Sequence, residues 1–274
     1  MKRRHPRAED FTVGWICPLA LEYAAAKSVL DELYEEAENA TGRIHHNDIV
    51  ITCLPAGQMR TIAAAAATER MRVAFPSLKH ALLVGIAGGV PSDKADIRLG
   101  DVVVGQPDGQ YAGVVQYVFG KMLPGGFQRI GHVGLTGDPR RDYRYLLWYH
   151  CFGNQVIKDG VTRDTSSSKL GGILCFEMEA AGVVNLMPCL VIRGICDYAD
   201  FHKNKVFQPF AAAAAAACAR GFLSYLPRAL CERLDDGQMP VHGQIQQEAQ
   251  DRRELSMNQY ASKAPAPHLA TKDR

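Results

Sequence analysis

Phe176-Glu177-Met178-Glu179-Ala180-Ala181-Gly182, then the apolar run Cys189-Leu190-Val191-Ile192, then Arg193-Gly194-Ile195-Cys196-Asp197-Tyr198-Ala199-Asp200, reads as a strand, a short small-residue helix and a second strand. Two carboxylates stand where that helix starts, and Asp197 closes the second strand. In open α/β sheets a ligand sits beyond the carboxyl ends of the strands, so acids from both places converge on one cleft. Glu177 and Glu179, two residues apart, share a face if the segment is extended; if it opens a helix they favour its positive end. Plain helix-start carboxylates would explain them as well, and Asp197 could be a simple turn residue. Their recurrence in one unit is what favours a polar site.

The same alternation extends upstream. Residues 11–16 predict a buried strand, and the spacing of Leu21, Ala25, Val29 and Leu33 predicts a helix over 19–34 with Glu22 in its first turn. Residues 49–54 predict a second strand, Pro55-Ala56-Gly57-Gln58 a tight loop, and 61–75 an alanine-rich helix that can approach the sheet closely. Strands follow at 80–86 and 99–104, separated by Gly85-Ile86-Ala87-Gly88-Gly89-Val90. Residues 124–168 lack clear periodicity; a short strand is expected at 154–157 and a polar loop at 158–169. The fold class is therefore α/β: a three-layer sandwich whose mixed, largely parallel sheet carries helices on both faces. One domain is expected over 11–227, between a flexible tail at 1–10 and a flexible tail or linker at 228–274.

Composition narrows the function. The 274 residues are 47% hydrophobic, enough for a full core, and 31 basic against 29 acidic residues leave a net charge of +2 without a dominant block. That balance offers no electrostatic footprint for nucleic acid or anionic lipid, and no apolar stretch is long enough to span a bilayer. Most of the eight cysteines lie in apolar runs and none has Cys-x-x-Cys spacing, so they read as reduced thiols of a cytoplasmic protein. Adjacent His45 and His46 point apart in an extended turn and find no second ligand set, so no metal is expected.

The glycine loop at 85–89 brings backbone N–H groups near a ligand, although a sharp turn without a ligand has the same composition. It lacks the G-x-G-x-x-G spacing, and no Gly-Lys-Ser/Thr phosphate loop occurs, which removes dinucleotide and nucleoside-triphosphatase readings. His202, with Lys203 and Lys205, reads as a polar loop that could reach a phosphate-bearing substrate.

Seven ordered motifs between residues 11 and 226 carry a resemblance. They are 15–22 (Trp15-Ile16-Cys17-Pro18-Leu19-Ala20-Leu21-Glu22), 54–58, 84–91, 98–104, 153–156, 176–182 and 193–200. In that order they resemble the nucleoside phosphorylase and nucleosidase superfamily, most closely the fungal domains often found ahead of NACHT, ankyrin or tetratricopeptide modules. The resemblance implies cleavage of the N-glycosidic bond of a purine nucleoside or nucleotide, with no cofactor and with water or phosphate as second substrate; it also allows a homodimer. Carried over by position, Asp197 is the acid that protonates purine N7, a role that a desolvated cleft would favour. Glu22 is the base that activates water, Glu179 and Met178 hold the ribose, and Val156, Ile157 and Phe176 flank the base. Gly57, Gly85, Ala87 and Gly88 supply the substrate loop.

Leu83 stands where the phosphorolytic branch carries a phosphate-binding arginine, and Ile86 replaces a phosphate-binding hydroxyl, so hydrolysis is favoured over phosphorolysis. Arg60 replaces a glycine usual in the fungal domains, Phe152 replaces a small residue, and the stretch between Gln128 and Asn154 is shorter. A catalytically impaired sensor or interaction domain is the alternative from another class.

Overall fold

The computed structural model describes residues 6–57, 60–93, 95–105, 114–116, 120–123, 126–129, 150–152 and 157–226. The strands are β1 (Val13–Cys17), β2 (Glu32–Glu36), β3 (Ala40–Ile44), β4 (Asn47–Cys53), β5 (His80–Gly89), β6 (Val102–Val104), β7 (Val114–Gln116), β8 (Gly120–Leu123), β9 (Gly126–Arg129), β10 (His150–Phe152), β11 (Cys175–Glu177) and β12 (Cys189–Asp197). The helices are α1 (Ala20–Ser28), α2 (Thr61–Ala74), α3 (Gly160–Lys169), α4 (Ala180–Val184) and α5 (Gln208–Tyr225).

Neighbouring strands β4, β1, β5 and β12 run parallel, so their carboxyl ends share one edge of the sheet. β2 and β3 extend it antiparallel beyond β4, and β6 lies antiparallel to β12. β5 outlasts β1, and on that side its last residues, Gly88 and Gly89, pair antiparallel with Phe176 and Cys175 of β11. The unit that opens the sequence reading thus docks on the end of β5 from two directions. β12 also carries one extra residue, because Ile195 pairs with Ala87 and Asp197 with Gly88, leaving Cys196 bulged.

Helices cover both faces. On one, Ile16, Val50, Leu83 and Val191 pack against Ala64, Ala67 and Met71 of α2 and Ala180, Ala181, Val183 and Val184 of α4. On the other, Trp15, Ile51, Leu82 and Ile192 pack against Ala26 of α1 and Ala215, Ala216, Ala219 and Leu223 of α5. Small side chains let these helices sit close. A Cβ at Gly194 would strike the Ala211 carbonyl, so α5 lies directly on the β12 backbone. The expected three-layer α/β sandwich is what forms.

Several local expectations are corrected, the first being the glycine loop at 85–89, which continues β5 as strand with Gly85, Ala87 and Gly88 in it. The helix expected over 19–34 stops at Ser28, and Glu32–Glu36 becomes an outer strand. Arg220, reaching from α5, donates to the Val29 carbonyl and to Asp31, and Asp31 Oδ2 also accepts the His45 N–H at 2.6 Å, so tertiary bonds turn the chain where apolar spacing alone would continue it. The polar loop expected at 158–169 is mostly α3, started by Asp159, whose Oδ2 accepts the Thr162 N–H at 2.8 Å. This helix buries little more than Ser167, hence its missing apolar period. Of the strand expected at 154–157, residues 154–156 lie outside the described residues, and Ile157 is a buried residue ahead of α3 rather than part of a strand.

Candidate active site

The carboxyl edge of β5 and β12 gathers six charged side chains. Glu22 occupies the first turn of α1 and is 3% exposed; its Oε2 accepts the Leu19 N–H and its Oε1 the Ile86 N–H, both at 2.7 Å. The first bond caps α1 and the second ties the carboxyl to β5, so the chain has no freedom to swing it away. Burial raises its pKa to about 8 against the opposing pull of Arg193. A Cβ on Gly85 would overlap both Glu22 and Arg193, so only glycine lets them meet there.

Arg193 is fully buried in the middle of β12. Its Nη2 donates to Glu177 and, at 3.2 Å, to Glu179 Oε2. Burial works against its charge, but Glu177, Glu179 and Glu22 outweigh that and hold it protonated. Among the described residues, Nε and Nη1 have no hydrogen-bond partner. With Nη1 at the Gly85 position beside Glu22, this side of the site presents a cation with spare donors next to a basic carboxylate.

Glu177 and Glu179 divide the work that the sequence leaves open. Glu177 accepts the N–H groups of Glu179 and Ala180 at 3.0–3.2 Å and caps α4 while neutralising Arg193. Glu179 has its backbone at the cap position of α4 and its carboxylate on Arg193. Met178, half-buried between them, is fixed by the hydrogen bond from Thr61 Oγ1 of α2 to its carbonyl at 3.3 Å.

Asp197 lies at the far end of the same stretch of β5. Its Oδ1 accepts the Ala199 N–H at 2.8 Å and stands 3.3 Å from Lys203 Nζ, and the Cys196 thiol is 3.3 Å from Oδ2. The bulge at Cys196 puts Asp197 in register with Gly88. A Cβ there would come within 2.9 Å of both Asp197 Oδ1 and the Ala199 Cβ. Ala199, at φ 51°, turns the chain back, and Arg163 of α3 clamps the turn by donating to the Tyr198 carbonyl at 2.7 Å. Ile157, Phe176, Val90 and Ala199 form one apolar cluster beside it.

The structure therefore brings Glu22, Gly85, Gly88, Phe176, Ile157, Met178, Glu179 and Asp197 to the region around β5. Three residues of extended strand span about 10 Å, which sets the scale between the Glu22 end at Gly85 and the Asp197 end at Gly88. Ala87 directs its methyl into a separate cluster with Val103, Leu174, Cys175 and Ile195. Gly57 turns with φ 75° and no side-chain neighbour crowds it. Val156 lies outside the described residues. Next to the Gly57 loop, Arg60 adopts φ 108° and ψ 173° at the start of α2. Arg193 and Lys203 join the acids only in the folded chain, although a lone arginine inside an apolar strand is itself the signal that buried carboxylates must answer it.

No family model matches the chain. A nucleotide-binding leucine-rich repeat (NLR)-like protein of the fungus Hyaloscypha variabilis is 34% identical over 302 residues, covering 81% of this chain and 30% of that protein. The chain spans under a third of that relative's length. Among solved structures, a 5'-methylthioadenosine/S-adenosylhomocysteine nucleosidase from S. pneumoniae, bound to a transition-state inhibitor, matches with TM-score 0.60 at 18% identity over 79% of this chain and 100% of its own. Futalosine hydrolase of Helicobacter pylori gives 0.58 at 18% identity, over 79% and 98%. An adenine-bound nucleosidase from Borrelia burgdorferi, described as putative in function, gives 0.60 at 14% identity, over 78% and 99%. Layer order, strand directions and these matches agree: the chain has the nucleoside phosphorylase and nucleosidase fold.

Proposed function

We propose that the protein hydrolyses the N-glycosidic bond of a purine nucleoside or nucleotide. The observation that carries this is the placement of two carboxyl groups along one four-residue stretch of β5: Glu22 bound to the Ile86 N–H, and Asp197 against Gly88. Glycoside-cleaving enzymes that invert use two carboxyls far enough apart, about 6.5–9.5 Å, to seat a water between base and sugar. Here Glu22 removes a proton from water as its oxygen attacks C1' of the ribose. The bond from C1' to N9 breaks, its electron pair goes to the purine, and Asp197 gives its proton to N7. Glu179 holds the ribose hydroxyls and Met178 packs on the sugar, while Phe176 and Ile157 support the base. Solvent returns the proton from Glu22 to Asp197.

Water is favoured over phosphate as the nucleophile because a base beside the sugar is useful only to a neutral attacker. Leu83, at the position of the phosphorolytic arginine, is core. The nucleosidase and hydrolase neighbours support the same reading. The test is chromatographic assay of free purine from nucleosides and nucleotides, with and without phosphate. Release that is independent of phosphate and falls at least about 10²-fold in Asp197→Asn is expected for an acid of this kind. A phosphate requirement with formation of ribose 1-phosphate would overturn it. Kinship to an NLR-like protein favours a second reading, a domain that binds purine without turnover; calorimetric binding with no base release would select it.

A further inference from the structure

We propose that the base is a 6-oxopurine, and that Lys203 is the residue that reads it. The inference rests on the placement of Asp197 at purine N7. Donors and acceptors on the base edge decide between the two purine classes. On the edge that carries N7, adenine presents an acceptor and then an amino donor, whereas a 6-oxopurine presents two acceptors, N7 and O6. A protonated aspartic acid by itself suits adenine: its hydroxyl donates to N7 and its other oxygen accepts the amino group.

In this chain that other oxygen is taken. A carboxyl oxygen has two lone-pair sites, and Asp197 Oδ1 already meets the Ala199 N–H at 2.8 Å and Lys203 Nζ at 3.3 Å. Oδ2 is left as the oxygen that carries the proton to N7, with the Cys196 thiol as its neighbour at 3.3 Å. An ammonium has three N–H donors and no acceptor, so Lys203, 3.3 Å from Oδ1, keeps donors for a ligand. Directed at the C6 substituent, it meets O6 with a charge-assisted bond and faces the amino group of adenine donor against donor. Among the described residues, the apolar cluster of Val90, Ile157, Phe176 and Ala199 offers that amino group no side-chain acceptor, which leaves it desolvated there without compensation. At 28% side-chain exposure, Lys203 is placed beside Asp197 Oδ1 yet free enough to follow the ligand. Solved neighbours bind adenine and 8-aminoadenine, so the preference would set this chain apart from them.

The experiment is calorimetric titration of the intact protein with hypoxanthine and with adenine, for wild type, Lys203→Met and Lys203→Arg. Wild type should bind hypoxanthine about ten- to a hundred-fold more tightly, the size of one good base-edge recognition pair. Lys203→Met should bring the two affinities within about threefold of each other, and Lys203→Arg, which keeps a charged donor, should restore the ratio. A general loss of fold weakens both ligands together and leaves the ratio alone. Equal or tighter binding of adenine by wild type, a ratio unchanged in Lys203→Met, or no binding of either base would overturn the proposal. The ratio is read without turnover: the expected ratios with no base release sink the hydrolase reading and leave this one standing. Base release with adenosine preferred over inosine does the reverse.

Discussion

Glu22 is the residue on which the proposed chemistry and the folding energetics pull in opposite directions. Folded, its pKa is raised to about 8 by burial; unfolded, it returns to the ordinary carboxylate value near 4.5. The native state then holds a proton that the unfolded state releases, so the stabilising contribution is full below about pH 4.5 and is lost as pH rises through about 8. Activity should run the other way, since only the ionised form takes a proton from water. Base release by wild type should climb through about pH 8. Glu22→Gln should lose that limb together with at least about 10²-fold of its rate, while its urea stability should fall less than wild type's between pH 6 and pH 9. Parallel pH profiles of activity and of denaturation midpoint check both halves; unchanged activity in the variant removes Glu22 from the mechanism.

At the scale of elements, backbone geometry sets the expectations. Arg60 opens α2 with φ 108° and ψ 173°, a region almost reserved for glycine, where a side chain costs about 1–3 kcal/mol. Arg60→Gly relieves that strain against about 0.4–1 kcal/mol of added freedom in the unfolded chain, so a net gain near 1 kcal/mol should appear in thermal denaturation. Gly194→Ala should act oppositely, forcing α5 off β12 at a cost of about 1–3 kcal/mol, read by urea titration. Much of this architecture was legible beforehand. α2 was expected to end one residue later than it does, and β5 and β12 were found by their apolar runs. What escaped has physical causes. β2 and β3 each show no buried run longer than one residue, and the break after Ser28 is enforced by Arg220 from a helix 180 residues downstream. α3 is polar almost throughout and is defined by its Asp159 cap. In the site, Glu22 and Asp197 could be read by motif position, whereas Arg193 and Lys203 gain meaning only once folding places them against carboxylates.

For the whole molecule, Arg193 is the point where distant parts of the chain lock together: α1 through Glu22, β11 through Glu177, and α4 through Glu179. Replacing it strands buried carboxylates. Arg193→Met should cost about 3–5 kcal/mol in urea unfolding, the usual penalty for orphaning one side of a buried ion pair. Adding Glu177→Gln should recover part of the loss; a double variant no more stable than the single one would show that the cost lies in packing. The bulge in β12 has a different consequence. Ile195 lays its side chain into the cluster with Ala87, Val103 and Leu174; the supernumerary Cys196 then shifts the phase by one, and Asp197 emerges on the side of Gly88. Were Cys196 paired in regular register with Gly88, Asp197 would fall opposite Gly89 and face the hydrocarbon side of Ile195, with every letter of the strand intact. The placement of this acid is thus encoded in strand register as much as in residue identity.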